Sequence, residues 1–236
     1  MPFYYYFDWT IWILLPAFFL SLWAQSNVNG TFKKYSQVYN RMGYTGAEVA
    51  RRILDMNGLS GVLIEHVDGN LSDHYDPKKN VVRLSDSTYR STSVGAIGVA
   101  AHEVGHAIQH AKGYAPIRLR NGIVPFVNVC NWLSMPILMI GVLFAGAGGI
   151  YPALIDAGIL LFSATVLFQV ITLPVEFNAS RRALKTLQEN HILDAAEIKG
   201  ASAVLKAAAM TYVAAAVSAA LSLLRLILLF GGRRRD

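Results

Sequence analysis

Long apolar runs separated by polar segments dominate the hydropathy pattern of the chain. Each run holds at most one charged residue, and they are Phe7–Trp23, Ile123–Ala145, Tyr151–Leu173 and Ala207–Phe230. A helix of about 20 apolar residues crosses the roughly 30 Å hydrocarbon core of a bilayer. The pattern therefore predicts about four spans and a mostly α, polytopic membrane helix bundle.

Two polar stretches lie between these runs, over residues 24–122 and 174–206. In the first, Gly46–Asn57 has the apolar spacing of an amphipathic helix. Thr45 precedes it and Glu48 follows three residues later, which is the pattern of a capping box. We therefore predict a helix that begins after Thr45.

The rest of the long polar stretch predicts two strands and a second helix. Val62–Ile64 and Val81–Leu84 are short apolar runs, and the turn-rich segment Asp68–Asn80 joins them. Ser93–Ala111 is rich in Ala, and Gly113 is a typical helix terminator. A small β-sheet is expected here.

The pattern divides the chain into five segments. An N-terminal transmembrane helix precedes a soluble region, a transmembrane hairpin, a helix that opens at Pro174, and a C-terminal transmembrane helix with a basic tail. Their bounds are 1–24, 25–122, 123–173, 174–206 and 207–236.

Composition supports a membrane protein and excludes other classes. Hydrophobic residues make up 54% of the 236 residues and charged residues 15%, unlike a disordered chain or an ordinary soluble domain. Cys130 is the single cysteine, which excludes a disulfide framework and a Cys-rich zinc site. The basic residues are dispersed without a nucleic-acid motif, so no nucleic acid partner is expected.

Lys and Arg are distributed unevenly. Residues 24–122 hold 12 of the 21, and residues 174–206 hold five. With four spans both stretches lie on one side, and the positive-inside bias predicts the cytoplasmic face of the cell membrane. One feature disagrees with the positive-inside bias, because this topology places the basic residues Arg233, Arg234 and Arg235 outside.

The sequence His102-Glu103-Val104-Gly105-His106 is the HExxH pattern, and it lies within a predicted helix. Residues four apart share one helix face, so both imidazoles can reach one tetrahedral Zn²⁺. Glu103 can then reach a water on the metal and take its proton.

A hydrolytic zinc site needs a third protein ligand. The metzincin extension is absent, since Gln109 and Lys112 occupy its Gly and His positions. His110 lies one turn further along, but three ligands on successive turns of one helix lie too far apart to share one tetrahedral centre. Glu176 directly follows the third apolar run, where Pro174 predicts a helix start. Glu176 is the favoured ligand, and His110 stays open as the alternative.

Three segments carry a family resemblance: Ser72–Pro77, Val99–His110 and Glu176–Arg182. The chain resembles the neutral zinc metallopeptidase family over nearly its whole length, and more broadly the gluzincin membrane proteases. The resemblance implies a gluzincin-like zincin core, Zn²⁺ as cofactor, Glu103 as catalytic base, and the metal ligands His102, His106 and Glu176.

The chain departs from the gluzincin pattern at one position. The Asp of the downstream Glu-x-x-x-Asp pattern is replaced by Ser180. An Asp there would orient a ligand histidine through its second nitrogen. Ser180 can accept the same hydrogen bond more weakly, and Asn178 and Asp86 are alternatives. His110 is expected behind the ligands or at the surface.

Residue type suggests further parts of a substrate cleft. An oxyanion donor is expected among His74, Tyr75, Arg181 and Tyr212. By the same resemblance, Val81–Ser85, which contains Val82 and Arg83, is an edge strand that pairs with an extended substrate. Its alternative interpretation is a plain core strand.

The expected function is a membrane-embedded zinc endopeptidase that acts on proteins or peptides, membrane proteins included. A regulatory membrane partner is compatible with the sequence. The alternatives are a non-catalytic membrane protein with a structural metal site, and a zinc hydrolase of lipid or another amide. A structural site would use a fourth protein ligand and would not need Glu103, which favours the peptidase.

Overall fold

The computed structural model describes residues 9–144 and 149–230. A 3₁₀ turn, Trp9–Leu14, leads into the first helix. The helices are α1 (Leu15–Tyr35), α2 (Gly46–Met56), α3 (Val94–Ala111), α4 (Ala115–Leu143), α5 (Tyr151–Glu189) and α6 (Ala195–Phe230), and the strands are β1 (Leu63–Val67), β2 (His74–Asp76) and β3 (Val81–Ser85). The predicted mostly α fold with a small sheet is confirmed.

Within the described residues, four helices are long and apolar enough to cross a membrane: Trp9–Tyr35, counting the 3₁₀ turn, and α4, α5 and α6. They cover most of the four apolar runs, and each extends into a polar stretch. Thus α1 runs on to Tyr35, α4 begins at Ala115, α5 runs on to Glu189, and α6 begins at Ala195. The basic tail 233–235 and the link residues 145–148 lie outside the described residues.

The predicted helix start at Pro174 is wrong, because Pro174 lies inside α5. Proline removes one backbone donor and crowds the preceding turn. Long helices of membrane proteins tolerate this where neighbouring groups satisfy the freed backbone, and α4 likewise contains Pro125 and Pro136. Residues 174–206 therefore hold the end of α5, a turn and the start of α6 instead of one helix.

The chain forms two compact units. The described residues of the first lie within 1–23, 120–171 and 213–236. In this unit α4 and α5 approach closely at glycines. A Cβ on Gly141 would lie 2.8 Å from the Ile155 side chain, and one on Gly158 would lie 2.7 Å from Leu138 Cβ. Such small residues allow membrane helices to pack backbone to backbone.

The second unit comprises residues 24–119 and 172–212. Its apolar core joins α2, α3 and the sheet to the end of α5 and the start of α6. The capping box of α2 forms as predicted, with Glu48 N donating to Thr45 Oγ1 and Thr45 N donating to Glu48 Oε2. Ser93 caps α3 by accepting from Ala96 N. These caps fix where both helices begin.

The sheet has the strand order β1-β3-β2. Strand β3 pairs in parallel with β1 and antiparallel with β2, in the register Ile64↔Val82 and Tyr75↔Val82. The prediction of β3 as a substrate-pairing edge strand is therefore wrong, because both of its edges are occupied. Val82 is fully buried, so the alternative of a core strand is correct. Strand β2 was not predicted, because it lies in the turn-rich segment.

Candidate metal centre

Helix α3 presents the two histidines of the HExxH pattern on one face. The His102 and His106 ring centroids lie 4.7 Å apart with the ring planes nearly perpendicular, at 85°. His106 is buried, and the His102 side chain is only 13% exposed. The i, i+4 spacing thus brings both rings to one point, as helix geometry requires.

Helix α5 brings Glu176 to the same point. Glu176 Oε2 lies 3.2 Å from His102 Nε2 and 3.5 Å from His106 Nε2. Glu176 is 2% exposed and lies well inside α5, so it is not a solvated residue of a first helical turn. The structure therefore gathers the three predicted ligands in a buried cluster.

The close approach of α3 and α5 depends on Gly105, inside the HExxH pattern. A Cβ at this position would lie 2.7 Å from the Ala179 carbonyl oxygen. Only glycine avoids this clash with the neighbouring backbone. Gly105 thus lets the carboxylate of Glu176 reach the imidazoles.

The cluster fits a tetrahedral zinc ion. Its ligand atoms all lie within 4.8 Å of one another. Two donors at about 2.0–2.1 Å from a tetrahedral centre lie about 3.3 Å apart, close to the distances that separate Glu176 Oε2 from the two Nε2 atoms. Two imidazoles and one carboxylate also match the ligand set of a catalytic zinc site.

Each imidazole is held from its far side. His102 Nδ1 hydrogen-bonds with Ser180 Oγ at 3.1 Å, and His106 Nδ1 with Gln109 Oε1 at 3.0 Å. Gln109 Nε2 donates to Val175 O and Asn178 Oδ1. This fixes Oε1 as the acceptor that faces His106, so Nδ1 donates to Gln109 and Nε2 is the ring atom that faces the metal position.

Gln109 was not predicted to act at the site, since the sequence analysis used it only to exclude a metzincin. Gln109 is fully buried, and its position three residues after His106 was the available signal. Asn178 supports Gln109 and accepts from Arg182 Nε at 2.7 Å. Asn178 therefore acts behind Gln109 and not directly on a histidine.

Asp86 does not orient His102, contrary to one expected alternative. Its oxygens accept from Gly69 N at 2.9 Å and hydrogen-bond with His66 Nε2 at 2.7 Å. With Asp68 these residues form a second group whose ligand atoms lie within 4.8 Å of one another. All three are exposed, and a hydrogen bond joins His66 to Asp86.

Electrostatics at the cluster favour a positive charge. Burial on its own lowers the pKa of His106, but hydrogen bonding to Glu176 and the negative charge of Glu103 outweigh burial, so the pKa of His106 is raised. The same negative groups would stabilise a metal cation bound between them.

Glu103 lies beside the cluster and lines a cavity of about 270 Å³. Its side chain is largely buried, at 9% exposed. The same cavity is lined by His102 and by Tyr212 of α6. A carboxylate next to a ligand histidine, with open space in front of it, is placed to exchange protons with a bound molecule.

The other predicted cleft residues lie elsewhere in the described part of the unit. Tyr75 donates its hydroxyl to Asn80, and its ring faces His110, which is exposed. His74 is exposed and its Nδ1 lies 2.9 Å from Ser72 O.

The two predicted arginines of the cleft are also placed outside the cavity lining. Arg83 forms ion pairs with Glu65 and Asp76 on the sheet. Arg181 is exposed on α5. Of the four candidate oxyanion donors, Tyr212 is the one that lines the cavity.

Comparison with known proteins places the chain in a family. Residues 10–231 match the model of a family described as "putative neutral zinc metallopeptidase". The chain is 49% identical, over 93% of its length and 96% of the relative's, to "Putative membrane protease YugP" of Bacillus subtilis (strain 168). No solved structure matches it. The match covers both compact units and the whole HExxH helix, so the chain belongs to the neutral zinc metallopeptidase family.

Proposed function

We propose that the protein is a membrane-embedded, zinc-dependent endopeptidase with a gluzincin-like core. The observation that carries this proposal is the convergence of His102, His106 and Glu176 beside the cavity that Glu103 lines. Family membership and the name of the Bacillus subtilis relative support a peptide substrate. In the described residues the cluster holds three ligands, whereas a structural zinc site takes four.

His102, His106 and Glu176 would hold the ion. When bound, zinc supplies a Lewis acid that acidifies a coordinated water and polarises the scissile carbonyl. Ser180 and Gln109 orient the two imidazoles through Nδ1 and leave the two Nε2 atoms to face the ion.

Glu103 is the general base of this proposal. Its carboxylate takes a proton from the attacking water and passes it to the leaving amine. Tyr212 lines the same cavity, and its hydroxyl is the donor that stabilises charge on the substrate oxygen. An extended substrate would pair with the outer edge of β2, because β2 is the edge strand that packs against α3.

The test replaces Glu103 with Gln, which keeps the size and removes the base. Because general acid–base catalysis contributes about 10²–10⁴-fold, casein cleavage by E103Q should fall by that factor. Zinc content should stay equal to that of the wild type. Glu189→Gln is the matched control, since Glu189 is exposed at the end of α5.

Retained cleavage in E103Q would reject Glu103 as the base. Loss of zinc together with activity would show that Glu103 maintains the site and does not act on the substrate. Wild-type protein with zinc that cleaves neither casein nor a peptide panel would reject the peptidase in favour of a structural site or another hydrolase.

A further inference from the structure

The cavity beside Glu103 is built from single faces of three helices. On α3 the lining residues are Val99, His102 and Glu103, which share the i, i+3, i+4 spacing of one helix face. Helix α6 contributes Leu205, Ala208, Thr211 and Tyr212, and α1 contributes Gln25, Val28 and Asn29. Their convergence makes this a formed pocket of the fold.

The wall of the cavity next to the proposed base is aliphatic. Leu205 is buried, while Val99 and Ala208 are half-buried between fully buried neighbours on their own helices. Their remaining exposure is therefore toward the cavity that they line. Leu71, on the loop before β2, adds a further apolar side chain to the lining.

Asp73 also lines the cavity, but it is not a free counterion for a basic ligand. Asp73 Oδ1 accepts from Ser85 N, and Oδ2 accepts from Ser85 Oγ, each at 2.8 Å. The neutral polar side chains of the lining are also engaged, since Gln25 donates to Asn29 and Thr211 donates to Ala208 O. The apolar wall therefore decides what the cavity accepts. A lysine side chain placed there could pair only with Glu103, and it would then occupy the carboxylate that the attacking water needs.

Resting on the proposed peptidase function, we propose that this cavity binds an aliphatic side chain of the substrate, next to the bond that is cut. The cavity of about 270 Å³ falls just below the range of about 300–1,000 Å³ for small-molecule sites, so it suits one side chain and not a bulky ligand. The substrate class is peptides with a residue of Leu, Ile or Val size at this position. Ala208 sets the depth of the pocket.

The test uses peptides that differ only in one residue beside the scissile bond, with Ala, Leu, Phe or Lys there. The wild type should cleave the Leu peptide best. A208L fills the pocket and should lower the Leu-to-Ala cleavage ratio roughly 10–100-fold, the usual cost of misfit in an apolar pocket. Ala203→Leu is the control on the same helix, outside the cavity lining, and should leave this ratio unchanged.

V99A enlarges the pocket and should shift the preference from Leu toward Phe. These opposite shifts separate a pocket from a general loss of folding. A wild type that prefers Lys, or equal ratios in A208L and A203L, would overturn the proposal.

A binding measurement separates this proposal from the peptidase itself. Zinc-loaded E103Q should bind the Leu peptide more tightly than the Ala or Lys peptide, and E103Q/A208L should lose this order. If the wild type cleaves no peptide while E103Q keeps the order, the function fails and the pocket stands. If E103Q shows no order, the pocket assignment is wrong whatever the wild type cleaves.

Discussion

Both imidazoles at the candidate metal centre are supported by neutral side chains, Ser180 and Gln109. A carboxylate in this position would push more electron density onto the ligand nitrogen. Gln109 instead fixes the orientation of the His106 ring, because its own amide is held by Val175 O and Asn178 Oδ1. The site therefore relies on orientation more than on charge behind its ligands.

At the scale of single residues, the most direct prediction concerns Glu176. E176Q keeps the shape but removes the anionic ligand that faces both Nε2 atoms. Zinc affinity should fall by more than the roughly 10–100-fold that accompanies loss of a group behind a ligand, and cleavage should fall with it. Metal analysis of purified protein beside E189Q measures this. Full zinc occupancy in E176Q would reject Glu176 and return His110 as the third ligand.

At the scale of elements, the contact between α3 and α5 positions the metal centre. Gly105 lies against the Ala179 carbonyl, one residue before Ser180 and three after Glu176. The two helices therefore touch at the level of the ligands. A small displacement there changes the distance between Glu176 and both histidines.

Gly105→Ala should separate these helices. Overpacking of this kind costs about 1–3 kcal/mol, and zinc affinity should fall together with the unfolding temperature. Gly30→Ala is the matched control, because a Cβ at Gly30 in α1 meets nothing within 4 Å and Ala favours the helix by up to about 1 kcal/mol. Calorimetry with metal titration measures both. Unchanged zinc binding in G105A would show that the close approach is not needed.

The sequence predicted the elements that local patterns determine. The capping residues of α2 and the apolar run of β3 are signals within a few residues, and they were sufficient. The predicted strand Val62–Ile64 overlaps only the first two residues of β1, Leu63 and Ile64. Strand order could not be predicted from local patterns. The pairing of β1 with β3, which skips β2 along the chain, depends on tertiary packing. Strand β2 has three residues in a segment rich in turn formers, so tertiary pairing outweighs its weak local preference.

The same distinction between local and tertiary signals applies to the site residues. His102, Glu103 and His106 follow from spacing on one helix, and the structure gathers them with Glu176. The prediction from Pro174 failed because proline initiates solvated helices, whereas Pro174 lies in the interior of α5. Gln109 was overlooked because an amide behind a histidine has no sequence motif of its own.

For the whole molecule, the described residues include four helices long and apolar enough to cross a membrane. If all four cross it, the two polar stretches lie on one side. Residues 24–119 and 172–212 form one compact unit that holds every member of the candidate site. Lys and Arg concentrate in these stretches, so we expect the site on the cytoplasmic face.

Labelling of single cysteines in intact cells tests this topology. The chain has one cysteine, Cys130, so a C130S background is simple to make. A membrane-impermeant maleimide should label I150C, in the link after α4, and should reach K78C and Q188C only after permeabilisation. All three positions are exposed, so access to each depends on its side of the membrane. Labelling of K78C in intact cells would place the site outside.

The unbroken course of α5 has a consequence for length variation in relatives. Its apolar run and Glu176 belong to one helix, in which each residue advances the direction of the side chain by about 100°. Adding or deleting one residue between Tyr151 and Glu176 would turn the carboxylate away from the histidines or rotate the lipid-facing surface. Insertions and deletions should therefore be absent from this stretch. They should accumulate in the turn between α5 and α6, where a change of length does not alter the direction of the Glu176 side chain.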